Sequence, residues 1–136
     1  MSQKKALFSL FAVVSTELIG FGLIIPILPQ IAHRFESSAL LIGILMAAYS
    51  FAQLIAAPIL GSWSDRIGRK PVLLLSKLGS VSAYILLGLS QNFWLFLIAR
   101  LLDGFTGGNI AVARAYVVDV TGPKDRGKGM AIIGIS

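Results

Sequence analysis

The sequence predicts an all-α membrane protein, and three observations carry that prediction. Of 136 residues, 56% are hydrophobic and only 13% are charged, with a mean hydropathy of +0.83. Soluble domains carry about 25% charged residues, so this chain has too few to cover a surface facing water. Its apolar residues are gathered into four long runs, and its basic residues collect between those runs, mostly on one side.

A helix crosses the hydrocarbon layer, roughly 30 Å thick, with about 20 apolar residues. Backbone polar groups in lipid must be satisfied within the segment, which favours helices over open strands. The first run, about 7–32, follows Lys4 and Lys5 as a signal peptide would. It continues without a small-residue cleavage site and reads as a retained span. Pro26 and Pro29 fall near its far end, where a bend is expected. The second run, about 40–60, carries Pro58 late in its length. A dense charged connection, 61–71, separates it from the third run at 72–90. Lys77 stands only a few residues inside that third run, so it is expected to snorkel to the near surface.

After a short Gln91-Asn92 turn comes the fourth run, 93–118. It holds Gly104 and Gly108 four residues apart, a spacing that lets two helix backbones approach closely. The same glycines do not form a phosphate loop, since no strand precedes them and no Lys-Ser/Thr follows. Past the connection 119–127, a fifth apolar stretch begins near Lys128 and stops at Ser136. Roughly nine helical residues cover about 13 Å, less than half the layer. The expectation is four spans and a truncated fifth, in one partial transmembrane bundle covering residues 1–136.

Several function classes are unsupported. The net charge of +6 and pI near 10.1 suggest nucleic acid only superficially, because the basic residues cap apolar runs and do not line one face. The absence of cysteine removes disulfides, thiolate metal sites and cysteine nucleophiles. His33, the only histidine, has no second ligand near it in sequence, so neither a metal nor another cofactor is expected. No Ser-His-Asp set, paired catalytic carboxylates or HExxH motif appears, and nothing points to an enzyme.

Eight of the twelve basic residues (Lys4, Lys5, Arg66, Arg69, Lys70, Lys124, Arg126 and Lys128) fall on one side of the four runs. Only Arg34 falls on the other, offset by Glu36. This bias places the N-terminus and the 61–71 connection in the cytoplasm. Trp63 and Trp94 lie at opposite ends of the runs, as interfacial aromatics do.

Charge inside a span is costly and marks function or a structural pair. Glu17 lies about 15 Å into the first run, near the midplane. Arg100 lies about 10 Å in from the other side of the fourth, with Asp103 one turn deeper. Two readings stay open. Glu17 faces a central cavity and binds a proton, a cationic substrate, or each in turn; or it forms a fixed pair with Arg100, while Asp103–Arg100 is the other possible structural pair.

At 61–71 the sequence Gly61-Ser-Trp-Ser-Asp65-Arg66-Ile-Gly68-Arg69-Lys70-Pro71 resembles the loop between the second and third spans of the major facilitator superfamily, G-x-x-x-D-R-x-G-R-[RK]. Glu17-Leu-Ile-Gly20-Phe-Gly22-Leu-Ile-Ile-Pro26-Ile-Leu-Pro29 is similar to the first-span motif of drug:proton antiporters. Arg100-Leu-Leu-Asp103-Gly104 resembles that family's fourth-span R-x-x-x-G motif, implicated in proton coupling. The resemblance covers essentially the whole chain and is closest to the tetracycline-efflux and multidrug branch. It does not extend to the third-span acid of tetracycline exporters, because 72–90 contains none.

The resemblance implies two six-helix halves around a midplane site, of which this chain supplies part of the first. It implies a lipid-embedded, proton-coupled exporter of small drug-like molecules, in a bacterial inner or plasma membrane, completed by transporter helices outside these residues. A family importer of sugars, or a membrane module that works only with a partner chain, are the other readings. The resemblance also makes the charged connection a gate. The Asp65 position meets a helix N-terminus in the other half, and the Arg69 position pairs with an acid closing the fourth span, here Asp119. Gly61, Arg66, Gly68 and Lys70 complete that motif.

Overall fold

The computed structural model describes residues 3–34, 38–121 and 126–135. Every regular element among them is a helix: α1 (Gln3–Arg34), α2 (Ala39–Ile67), α3 (Arg69–Leu89), α4 (Phe93–Thr106), α5 (Asn109–Val120) and α6 (Arg126–Ile135). Among the described residues four stretches are long and apolar enough to cross a membrane, namely Leu7–Ile31, Ala39–Ile67, Arg69–Leu89 and Phe93–Val120. Large apolar side chains such as Phe8, Leu40, Phe51, Leu54, Leu78 and Trp94 point outward along them. A water-facing protein rarely exposes so much contiguous apolar surface; in lipid it costs nothing.

The helices extend past the apolar runs that announce them. The connection at 61–71 is almost entirely helical, because α2 continues to Ile67 and α3 starts at Arg69. Only Gly68 interrupts, at φ 106°, with its N–H bonded to the Ser64 carbonyl at 3.1 Å. A side chain at that φ is strained, so glycine is what lets the chain reverse within one residue. Its place in the motif has a backbone cause. His33 and Arg34, which lie past the first apolar run, belong to the last turn of α1. Pro26, Pro29 and Pro58 lie inside α1 and α2, which continue through them. The start of the last helix falls at Arg126, while 35–37 and 122–125 lie outside the described residues.

The fourth span is broken: α4 ends at Thr106, and α5 starts at Asn109. Helix breaks at membrane depth need partners for the freed backbone groups. Here the Ser76 hydroxyl from α3 donates to the Thr106 carbonyl, and Gln53 Nε2 from α2 donates to the Gly107 carbonyl at 3.1 Å. The Gly107 N–H returns to the Asp103 carbonyl at 2.7 Å.

Close packing fixes where that break sits. A Cβ on Gly104 would collide with the Tyr49 backbone and approach the Ala52 Cβ at 2.9 Å; one on Gly108 would come within 3.1 Å of the Ala57 nitrogen. Both glycines therefore seat α4 and α5 directly on the α2 backbone. Two apolar clusters hold the bundle at different heights. Leu10, Val14, Val72, Leu73, Val112, Ala113 and Val117 join α1, α3 and α5 at one end. Ile31, Leu45 and Phe96 join α1, α2 and α4 at the other.

Candidate functional site

Between the two apolar clusters lies a layer of buried polar side chains contributed by α1 to α5. Glu17 of α1 is 3% exposed, and Arg100 and Asp103 of α4 are 1% exposed. Asn109 at the start of α5 is fully buried. Charged groups at such depth are retained only with partners.

Of the two pairings the depths suggested, Asp103–Arg100 is present and Glu17–Arg100 is not. Glu17 does not take Arg100; its Oε2 accepts from Lys77 Nζ at 2.7 Å and from Asn109 Nδ2 at 3.3 Å. Lys77 accordingly does not snorkel to the near surface. Since α3 begins at Arg69, Lys77 stands eight residues into the helix, about 12 Å from its start. From there its ammonium meets the Glu17 carboxylate.

Arg100 and Asp103 pair with each other, Nη1 to Oδ2 at 3.0 Å, one turn apart on one helix. The guanidinium also lies over the Tyr49 ring, with Cζ 4.3 Å from the ring centroid, a favourable cation–π geometry. The layer thus holds one pair between helices and one within a helix. Glu17 Oε1, Arg100 Nε and Nη2, Asp103 Oδ1 and Asn109 Oδ1 take no hydrogen-bond partner among the described residues.

Gly107 is the hub of the layer. A Cβ there would lie 3.1 Å from Glu17 Oε1 and 3.0 Å from the Tyr49 hydroxyl. The helix break therefore brings the junction between α4 and α5 up to the Glu17 carboxylate. Tyr84 closes the layer above, its hydroxyl packed against Gly20 one turn along α1 from Glu17. Beyond Tyr84 opens a cleft of about 540 Å³ lined by Gly20, Leu23, Ile24, Ile27, Leu87 and Phe96, among others.

Sequence reasoning missed Lys77, Asn109, Tyr49 and Gln53 as members of the layer. Two signals were available: Tyr49 and Gln53 are polar side chains four residues apart within an apolar run, and Asn109 follows directly on the Gly-Gly pair.

A second charged group lies at the end of the bundle carrying the α2–α3 reversal. Arg69 Nη2 contacts Asp65 Oδ1 at 2.6 Å, while Arg69 Nε donates to Asp119 Oδ2 at 3.0 Å. Arg69 Nη1 donates to the Ser64 hydroxyl, which in turn donates to the Gly61 carbonyl at 2.7 Å. Arg69 thus ties α2, α3 and α5 together, and it meets the acid that the resemblance assigned to it. Arg66 and Lys70 are exposed, and a Cβ on Gly61 would meet nothing. Among the described residues no group of acids, histidines and cysteines could hold a metal.

Comparison with known proteins gives one family. The family model described as Major Facilitator Superfamily matches residues 10–136. The class E tetracycline resistance protein of Escherichia coli is 39% identical over 125 residues, covering 90% of this chain and 31% of that protein. The class B protein of Escherichia coli is 42% identical, covering 88% of this chain and 31% of that one. Among solved structures, the human organic anion transporter MFSD10 (TETRAN) superposes with a TM-score of 0.84 at 27% identity, covering 99% of this chain and 38% of that one. The chain spans about a third of the length of the curated relatives it matches.

Proposed function

This chain belongs to the Major Facilitator Superfamily, and on that premise we propose that it forms part of a proton-coupled secondary transporter exporting hydrophobic or cationic drug-like compounds. The observation that carries the proposal is Glu17, a buried carboxylate whose cationic partner comes from a different helix. A buried acid with a movable counterion can take up a proton or a cation in turn, and each exchange changes which helices it holds together. The likeness to tetracycline resistance proteins supports the drug-export reading.

The midplane site in this family of folds is reached alternately from each side as two halves rock. The Asp65–Arg69–Asp119 group is then the latch of the cytoplasmic side, with the N-terminus in the cytoplasm, as the distribution of Lys and Arg supports. A second reading, organic-anion transport, draws on the likeness to the human organic anion transporter and on Lys77 and Arg100 in the layer.

The test uses the full-length product of the gene in inverted membrane vesicles. Dissipation of a proton gradient on adding lipophilic cations is expected in the wild type and absent in Glu17→Gln. Organic anions dissipating the gradient where cations do not would replace the first reading with the second.

A further inference from the structure

The two ion pairs of the buried layer are built differently, and the difference assigns a role to Lys77. Arg100 and Asp103 stand on one helix, a single turn apart, equally sealed, with Tyr49 over the guanidinium. Movement of one helix against another leaves them together. Glu17 and Lys77 come from α1 and α3, sixty positions apart, and join only through the tips of their side chains. Lys77 is 19% exposed where Glu17 is 3% exposed, so the cation is the member with a way out. Its flexible four-carbon stem and compact ammonium suit release and return, where a forked guanidinium would hold on.

We propose that Lys77 is a tethered competitor for the Glu17 carboxylate: its ammonium on Oε2 supplies the positive charge that this buried group needs, so that a proton or the cationic group of a substrate arriving at the unpartnered Oε1 takes over that role and releases Lys77. The inference rests on the reading of Glu17 as the exchanging acid. Glu17, Lys77, Arg100 and Asp103 together carry no net charge, and a bare carboxylate in this setting is expensive. Glu17 is therefore neutralised by one partner at a time: Lys77, a proton or a ligand cation. When the ligand departs, Lys77 returns, and the empty site stays neutral.

Among the described residues Lys77 is the cation that pairs with Glu17. Besides Lys77, the groups around it are Tyr49 from α2, Tyr84 from α3, Asn109 from α5 and, from α4, Asp103, which is itself paired with Arg100. The described charges of α6, Arg126 and Lys128, lie in that helix's first turn. The free oxygen, Oε1, faces Gly107, with the Tyr49 hydroxyl beside the same glycine.

The test measures binding of tetraphenylphosphonium to the full-length gene product in detergent, from acid to alkaline pH. Lys77→Met is expected to bind the probe about tenfold tighter, the equivalent of one pH unit at a shared carboxylate. Protons should then compete from correspondingly higher pH. Lys77→Arg, which keeps a cation with a firmer two-point hold, should bind the probe more weakly than wild type. In Glu17→Gln the gain from Lys77→Met should vanish. Unchanged affinity and pH profile in a monodisperse Lys77→Met protein would overturn the proposal. If that variant does not fold, unchanged affinity in Lys77→Arg does the same. Binding of benzoate that strengthens on acidification and is lost in Lys77→Met would also overturn it, because a released Lys77 would then be recruiting anions. Wild-type binding that ignores pH while the Lys77→Met gain persists strikes the coupling role of Glu17 and leaves the competition standing. Proton competition without that gain strikes the competitor alone.

Discussion

The buried layer and the Arg69 group use the same chemistry in opposite surroundings. In the layer, Arg100 and Asp103 are 1% exposed, whereas Asp65 and Asp119 beside Arg69 are 62% and 52% exposed. Water screens the second set and leaves each contact worth about 0.2–1 kcal/mol. The first set is unscreened, and removing one partner of such a pair costs about 3–5 kcal/mol. The layer is suited to holding charge in place, with one pair fixed and one able to exchange. The Arg69 group is suited to the latch role proposed for it, since weak contacts bias a conformational equilibrium without freezing it.

The sharpest way to break this comparison is to strand a charge in the layer. Arg100→Met leaves Asp103 without its cation and should destabilise the folded protein by about 3–5 kcal/mol, read from thermal unfolding in detergent. A loss below about 1 kcal/mol would place the pair in water and erase the contrast. Replacing both members, Arg100→Met with Asp103→Leu, should recover much of that loss, because the stranded charge is the cost. Next in size is Gly104→Leu, which must push α4 off the Tyr49 and Ala52 region of α2 and should cost about 1–3 kcal/mol. Gly61→Ala, where nothing lies within contact, should be neutral in the same measurement.

The Arg69 group should respond far less in stability. Arg69→Ala is expected to cost about 1 kcal/mol or less, and the cost should shrink as salt is added. Asp65→Asn should be smaller still in stability, yet shift the balance of inward-open and outward-open states in the full-length product. That shift is measured by the accessibility of an engineered cysteine on the cytoplasmic side. An unshifted balance would remove the latch role from Asp65.

Much of this architecture was legible in the sequence, for definite reasons. Spans were legible because about 20 apolar residues in a row have few other uses. Their ends were not, because a helix stops at a backbone signal and not where hydrophobicity stops. Gly68 is that signal, and Ser64, Asp65 and Arg66 are helical despite being polar. The break at Gly107 was hidden for a related reason: the Gly104/Gly108 spacing reads as helix packing, and it does pack, but Gly-Gly also ends the helix there. Depth along a span was readable from residue counts, which found Glu17, Arg100 and Asp103. Which way each side chain faces depends on how the helices are rotated against one another, and that rotation joined Glu17 to Lys77 instead of Arg100.

The claim on which the rest depends is that the Glu17 carboxylate exchanges its partner during transport. Proton flux coupled to substrate, measured in vesicles holding the full-length gene product, tests it most directly. Saturable flux in the wild type that disappears in Glu17→Gln, with the variant inserted in the membrane at equal amount, is the predicted result. Undiminished, pH-dependent flux in Glu17→Gln would contradict it.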